Sequence, residues 1–201
     1  MRIKKHLSLS SGLETATENG SLSVVKDALR LVDLDRLEKK VSREKGREGR
    51  LLWSPIQINK AFEERMDAAG WQEYTDNYFV CEDFDVNRAA ALLPYHEQKA
   101  FIRAARLKPY RSNTQSDFLR DGMVIEMQLG KYTFPFYDIM IKNSILRRMG
   151  LVQCAIEIVP MKDLQAQMSS GPAYFEHVSD KFSKMHPDDL PRLPTLILGI
   201  C

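Results

Sequence analysis

The chain has 201 residues, of which 44% are hydrophobic and 28% are charged. This composition fits a globular domain with one core and excludes a wholly disordered chain. The net charge of +2, from 29 basic and 27 acidic residues, neither requires nor excludes a nucleic-acid partner, because a binding face depends on how charge is distributed. We therefore expect a single domain over residues 1–201.

The cysteines and the N-terminus indicate where the protein resides. The three cysteines, Cys81, Cys154 and Cys201, are odd in number and lack CxxC spacing. This predicts reduced thiols and argues against a disulfide framework or a zinc site. The basic N-terminus has no continuous apolar stretch like that of a signal peptide, and no apolar run reaches the length that spans a bilayer. We expect a cytoplasmic protein.

Residues 1–50 are predicted to form a helical part followed by a basic loop. Val25, Ala28, Leu29 and Val32 recur on one face of a helical pattern over residues 21–41. The run KKVSREKGREGR, residues 39–50, then holds six basic residues and two glycines. The glycines favour a loop, which is either solvated or in contact with a DNA backbone.

The middle of the chain alternates helix and strand signals. Ser54 is placed to cap a helix that has Pro55 at its first position and that ends near Gly70. A strand over residues 71–81 and a helix over residues 96–107 follow.

The second half predicts a mixed α/β sheet. Residues 123–129 alternate, with Met123 and Ile125 on one face and Glu126 and Gln128 on the other, which is typical of a half-buried strand. Thr133 is placed to cap a helix that runs to about residue 149. Apolar runs over residues 152–159 and 195–200 are predicted strands. Strand, helix and strand in this order indicate a mixed sheet.

Three polar residues near the centre of the chain could support phosphodiester hydrolysis. That reaction needs neutralised charge on the phosphate and an oriented water, which acidic ligands holding Mg²⁺ supply. A hairpin through residues 120–122 could bring Asp117 beside Glu126 and Gln128, and the carbonyl of Met127 is a further candidate ligand. On spacing alone, however, an exposed hairpin with outward polar residues is favoured.

Other polar and aromatic residues carry weaker signals. The four histidines, His6, His96, His177 and His186, lack metal-ligand spacing and are predicted to lie at the surface. Glu157 is unusual in a buried strand, where it either forms a structural ion pair or supports the site. The aromatic residues of the segment 132–137 favour a core or a subunit interface over a platform for stacking bases.

Three blocks of the sequence resemble one enzyme family. The segment NTQSDFLRDGMVIEMQLGKYTFPFYD, residues 113–138, resembles the active-site region of type II restriction endonucleases of the BglII/BstYI family. Residues 51–71 and 155–171 are similar to BstYI in the same order, whereas residues 1–50 resemble it faintly. The resemblance implies a PD-(D/E)xK fold, with a mixed central sheet flanked by helices. Residues 51–201 would then form the family-like catalytic core.

The resemblance also implies roles for the three central residues. Asp117 would be the first Mg²⁺ ligand and Glu126 the second. Gln128 stands where most of the PD-(D/E)xK superfamily carries lysine. Because an amide does not titrate near neutral pH, Gln128 could orient a water molecule but could not take its proton.

The resemblance further implies how the protein meets DNA. Gly130 and Lys131 fall where these enzymes contact bases, and Ser169 and Ser170 are weaker candidates of the same type. The implied target is double-stranded DNA at a palindromic site containing GATC, with RGATCY expected and 5′ GATC overhangs.

A homodimer would match the two halves of such a site. We expect part of the dimer interface on the apolar helix after Thr133. We also expect a cognate DNA methyltransferase in the same restriction-modification system, without direct contact with this chain.

Two functions are alternatives to a restriction endonuclease. One is a repair or junction nuclease with another target, and the other is a DNA-binding protein that does not cleave.

Overall fold

The computed structural model describes residues 1–43, 46–169 and 171–201, which form two compact units. The first unit comprises residues 1–72 and 117–201, and the second comprises residues 73–116. Among the described residues, no helix is long and apolar enough to cross a membrane. All three cysteines are free thiols.

The strands and helices follow one another along the whole chain. The strands are β1 (Ile3–Leu9), β2 (Lys39–Val41), β3 (Leu51–Trp53), β4 (Gln72–Val80), β5 (Tyr110–Arg120), β6 (Met123–Met127), β7 (Cys154–Pro160) and β8 (Thr195–Ile200). The α-helices are α1 (Gly12–Glu18), α2 (Ser21–Leu31), α3 (Pro55–Ala68), α4 (Phe84–Ala90), α5 (Tyr95–Ala104), α6 (Phe134–Tyr137), α7 (Asn143–Arg148), α8 (Lys162–Gln165) and α9 (Phe175–Ser183). A π-helical segment, Asp138–Lys142, joins α6 to α7.

The first unit is built on a mixed sheet, which confirms the predicted fold class. Its strands lie in the order β1, β8, β7, β6 and β5, and β5 belongs to this unit from Asp117 onward. Strand β7 is parallel to both of its neighbours, whereas β1 is antiparallel to β8 and β5 is antiparallel to β6. The buried parallel strands β6, β7 and β8 are therefore central and carry mostly apolar residues, as expected of strands covered on both faces.

Helices bury both faces of this sheet. On one face, Leu29 of α2 and Phe62 of α3 belong to the same core cluster as Ile125 and Ile156. On the other face, the buried apolar residues of α9 form one cluster with Ile139 of the π-helical segment and with sheet residues. These sheet residues are Leu9, Val159 and Ile197. Every residue of β6 is buried as a consequence. The prediction of a half-buried strand over residues 123–129 was therefore wrong, because the polar face of β6 is covered as well.

The first fifty residues contain strands as well as helices. Helix α2 lies within the predicted helical stretch, and β1 precedes it at the edge of the sheet. The helical prediction missed β1 because an edge strand keeps Lys4, Lys5 and His6 exposed, which hides any apolar alternation. The basic run forms much of a hairpin in which β2 pairs with β3, and Glu44 and Lys45 lie outside the described residues.

The second unit contains the predicted strand and helix of the middle of the chain. It holds most of β4, α4, α5 and β5 up to Ser116. Cys81, Ala90 and Ile102 form its small core. Strand β4 and helix α5 match the strand predicted over residues 71–81 and the helix predicted over residues 96–107.

The helix predicted after Thr133 is broken in the middle. Residues 134–148 form a helical run, but its centre is the π-helical segment. Thr133 precedes this run and Ser54 precedes α3, as predicted, yet neither side chain makes a capping hydrogen bond. A π-helical turn inserts one residue into the helical repeat and so rotates the side chains that follow it. Here the turn lies against the candidate site.

Candidate active site

A tight turn brings Asp117 opposite Glu126. Asp121 and Gly122 both have positive φ, at 49° and 77°, which is the conformation of a two-residue hairpin turn. The hairpin pairs Phe118 with Ile125 and Arg120 with Met123. Asp117 and Glu126, which are nine residues apart in the sequence, therefore become neighbours, as the hairpin prediction required.

The two carboxylates are held by each other's backbone. The Asp117 N–H donates a hydrogen bond to Glu126 Oε2 at 3.3 Å, and the Met127 N–H donates to Asp117 Oδ2 at 2.8 Å. Glu126 and Gln128 are both buried. Asp117 is half-buried. The predicted trio therefore does not lie on an exposed hairpin.

The π-helical segment adds two residues that sequence reasoning missed. The Lys142 ammonium lies 2.6 Å from Glu126 Oε1 and 2.8 Å from Asp138 Oδ1. Asp138 Oδ2 accepts a hydrogen bond from Gln128 Nε2 at 2.5 Å. An Asp and a Lys four residues apart within an apolar helical stretch were the available signal, because such a pair is costly to bury without further partners.

Strand β7 supplies a third buried acid. Glu157 pairs in register with Glu126 and is fully buried. Asn143, at the start of α7, donates from Nδ2 to Glu157 Oε1 at 3.5 Å. Within the described ranges, Glu157 Oε2 and Asn143 Oδ1 are buried without a hydrogen-bond partner. Glu157 therefore lies beside the site, consistent with the supporting role considered for it.

Burial dominates the electrostatics of this cluster. Burial raises the pKa of Glu126 to about 8, an effect that Lys142 opposes and that Asp117 and Asp138 reinforce. Burial likewise raises the pKa of Asp138, against the attraction of Lys142, and raises the pKa of Glu157 well above its ordinary value. Burial acts to lower the pKa of Lys142, but Glu126 and Asp138 outweigh it, so that this pKa lies above its usual range.

The oxygen atoms around Asp117 and Glu126 suit a hard divalent cation. Two carboxylates and the Met127 carbonyl are the kinds of ligand that Mg²⁺ takes from proteins. That carbonyl accepts a long hydrogen bond from the Leu129 N–H, at 3.3 Å, and an oxygen with two lone pairs can accept more. Within residues 1–43, 46–169 and 171–201, no three His, Cys, Asp or Glu residues form a metal-binding group. Two acids, a carbonyl and water would therefore make up the ligand set.

The predicted DNA-contact residues fall at two surface places. Gly130 and Lys131 are exposed, and the Lys131 ammonium lies 4.8 Å from the centre of the Phe134 ring. Ser169 is half-buried and lines a cleft of about 750 Å³ together with residues 40–43 of the basic hairpin. Ser170 lies outside the described residues.

The predicted surface histidines and aromatic residues are now placed. His6, His96 and His186 are exposed, whereas His177 is half-buried and contacts the Tyr132 and Phe136 rings. Five large apolar side chains between positions 134 and 149 are exposed and are here called the apolar stripe. The apolar stripe consists of Phe134, Tyr137, Ile141, Ile145 and Met149.

Comparison with known proteins decides the family. The sequence profile of the family described as restriction endonuclease BglII/BglIII matches residues 10–200. The chain belongs to this family. It is therefore a restriction endonuclease, a site-specific deoxyribonuclease, as the resemblance implied. The match also includes most of the first fifty residues, where the resemblance was faint. No curated protein matches the chain.

Solved structures of BglII share the fold. A crystal structure of BglII complexed with a DNA 16-mer is similar, with a TM-score of 0.68 at 15% identity over 99% of this chain and 76% of that chain. Free BglII is similar with a TM-score of 0.61 at 12% identity, over 100% of this chain and 80% of that chain. At these identities the likeness shows the shared BglII-like fold.

Proposed function

We propose that this BglII-family enzyme is a Mg²⁺-dependent type II restriction endonuclease of the PD-(D/E)xK superfamily, related to BstYI. It cleaves double-stranded DNA at a palindromic GATC-containing site, RGATCY, and leaves 5′ GATC overhangs. The observation that carries this proposal is the hydrogen bonding of Asp117 with Glu126 and Met127 across the β5–β6 hairpin. Gln128 is linked to the same site through Asp138 and Lys142.

Asp117, Glu126 and the Met127 carbonyl would hold Mg²⁺, and Gln128 would orient the attacking water. A bound Mg²⁺ would neutralise charge on the phosphate and lower the pKa of water. The Gln128 side chain contributes hydrogen bonds only, because an amide neither gains nor loses a proton near neutral pH. The proton released from water would therefore pass to a group other than residue 128, such as another water molecule or the DNA phosphate.

DNA contacts are proposed at the two exposed places. Lys131, next to Gly130, would donate to the acceptors of guanine in the major groove, a contact that its exposure permits. Ser169, and Ser170 beside it in sequence, would contact bases near the basic hairpin. The hairpin would contact phosphates, because Lys40 and Arg43 line the cleft that includes Ser169. The DNA 16-mer bound by BglII supports a duplex ligand.

We also propose a homodimer that acts in the bacterial cytoplasm. The apolar stripe would form part of the dimer interface, since its five large side chains are between 41% and 49% exposed. A two-fold dimer would place one active site on each DNA strand. A cognate methyltransferase would protect host DNA without contacting this chain.

Cleavage of unmethylated plasmid DNA tests the proposed function. The full chain is incubated with the plasmid in Mg²⁺ or in a chelator, and the fragment ends are sequenced. We expect discrete fragments in Mg²⁺ alone, ending at RGATCY, and none with Glu126→Ala. The exposed Glu64→Ala serves as the control and should cleave normally.

Three results would contradict this proposal. Binding without cleavage would identify a non-cleaving DNA-binding protein. Ends at other sequences would identify a nuclease with another target. Cleavage by Glu126→Ala at the normal rate would show that the active site lies elsewhere.

A further inference from the structure

The amide group of Gln128 is held in one orientation by Asp138. Gln128 Nε2 donates to Asp138 Oδ2, and both side chains are buried. A carboxylate can only accept hydrogen bonds, so the amide must direct its NH₂ group to Asp138. The Gln128 carbonyl oxygen then points away from Asp138 and is left to accept a hydrogen bond from another group.

Lys142 binds the other carboxylate oxygen of Asp138. Its ammonium lies 2.8 Å from Asp138 Oδ1, while Oδ2 is bound to Gln128. The positive charge favours the ionised carboxylate, in which both oxygens accept. The i,i+4 spacing within the π-helical segment brings both residues to the same place. Asp138 therefore has one oxygen for Lys142 and the other for Gln128.

The orientation of the amide matters for a water-orienting residue. A water molecule that attacks phosphorus gives up a proton, and an acceptor aligned with that O–H bond directs its lone pair to the phosphorus. An amide turned the other way would present an N–H donor and would bind the attacking lone pair instead. The hydrogen bond to Asp138 thus decides whether Gln128 presents its carbonyl oxygen or its NH₂ group to the water molecule.

We propose that Asp138, supported by Lys142, is a positioning residue that sets the polarity of the Gln128 side chain so that its carbonyl oxygen faces the attacking water. This inference rests on the proposed function. It adds two residues from the helical run to a site otherwise built from the β5–β6 hairpin.

Exchanging the two side-chain types between positions 138 and 128 tests the proposal. Asp138→Asn leaves a single side-chain oxygen at position 138 for two donors, Lys142 and Gln128. Because Lys142 is the charged donor, it keeps that oxygen. The new NH₂ group then faces Gln128, whose amide must flip. Gln128→Glu instead sets two carboxylates against each other. The double variant restores one donor and one acceptor, and the net charge of the site is unchanged.

We expect each single variant to cleave about 10–100-fold more slowly than the wild type, as for outer partners of other metal sites. The double variant should cleave faster than either. Binding of the target duplex in Ca²⁺ should stay constant throughout. Asp27→Asn is the matched control, because Asp27 is an exposed carboxylate on α2 and has no place in the proposed site, and it should cleave normally.

A second readout needs no cleavage. In the metal-free protein, the side-chain amide resonance of Gln128 is assigned by its absence in Gln128→Glu, and it should shift in Asp138→Asn. An unshifted resonance, or a double variant slower than both singles, would overturn the positioning role. A wild type that does not cleave in Mg²⁺ would instead contradict the proposed function, so the two failures are distinguishable.

Discussion

Removing the Lys142 ammonium should destabilise the metal-free protein strongly. Lys142→Met keeps an unbranched side chain but leaves Glu126 and Asp138 without their shared cation. The side chains of all three residues are 5% exposed or less, so water cannot replace the lost partner. At pH 9, where the Glu126 carboxyl is largely ionised, breaking this buried ion pair by removing one member costs about 3–5 kcal/mol. For a chain of this length, that loss lowers Tm by about 6–20 °C.

An exposed pair on α9 supplies the matched control. Lys184 pairs with Asp180 at the same i,i+4 spacing and at 2.6 Å, but these side chains are 68% and 46% exposed. Solvent screens such an exposed pair, so it contributes little to stability. Lys184→Met should therefore lower Tm far less than Lys142→Met in the same thermal unfolding assay. Equal losses for the two variants would refute the view that burial makes Lys142 important.

The loss of stability caused by Lys142→Met should increase with pH. The pKa of Glu126 is about 8 in the metal-free protein, above its ordinary value of 4.5. A raised carboxyl pKa contributes stability at low pH that is lost as the pH rises through the folded value. At pH 6, Glu126 is largely protonated in both proteins. At pH 9, its ionised form is paired only in the wild type, so the Lys142→Met loss should grow between these values. A loss that shrinks with pH would contradict the proposed pairing.

Two further predictions concern surfaces. Changing Ile141 and Ile145 together to Glu should convert the dimer to a monomer in sedimentation. Ile56 is also exposed, and Ile56→Glu should leave the dimer intact. If the double variant stays fully dimeric, the apolar stripe is not part of the interface. Lys131→Ala should weaken binding to the target duplex in Ca²⁺ by about 1–3 kcal/mol relative to a scrambled duplex. Lys40→Ala should weaken both equally and reduce the salt-dependence slope by about 0.9, and the opposite pattern would exchange their assigned roles.

The sequence predicted the elements of the sheet better than their surroundings. The apolar runs of β7 and β8 and the alternation in β6 identify strands, because these patterns arise within a few neighbouring residues. Burial of the polar face of β6 depends on the helical run, whose Asp138 and Lys142 contact Gln128 and Glu126 only once the chain has folded. The edge strand β1 was missed for the opposite reason, since its exposed Lys4, Lys5 and His6 mask the pattern.

The residues of the candidate site were likewise predictable only in part. The closeness of Asp117 and Glu126 follows from hairpin geometry, which local sequence specifies through the Asp121–Gly122 turn. Residue spacing marks Asp138 and Lys142 as a possible pair but does not identify their partners, because the contacts with Glu126 and Gln128 require the helical run to cover β6. The π-helical turn, which apolar periodicity does not reveal, lies at that point of contact.

The contacts of Lys142 also limit the chemistry of the site. Its ammonium is bound to Glu126 and Asp138, and these charges raise its pKa above the usual range. Lys142 therefore stays protonated at neutral pH and cannot act as the base that takes a proton from water. Gln128 cannot take that proton either. Neither residue therefore serves as the base, and under the proposed function Gln128 orients water while Lys142 balances charge. This division of labour makes the polarity of Gln128, and with it the Asp138 contact, the feature on which the rate should depend.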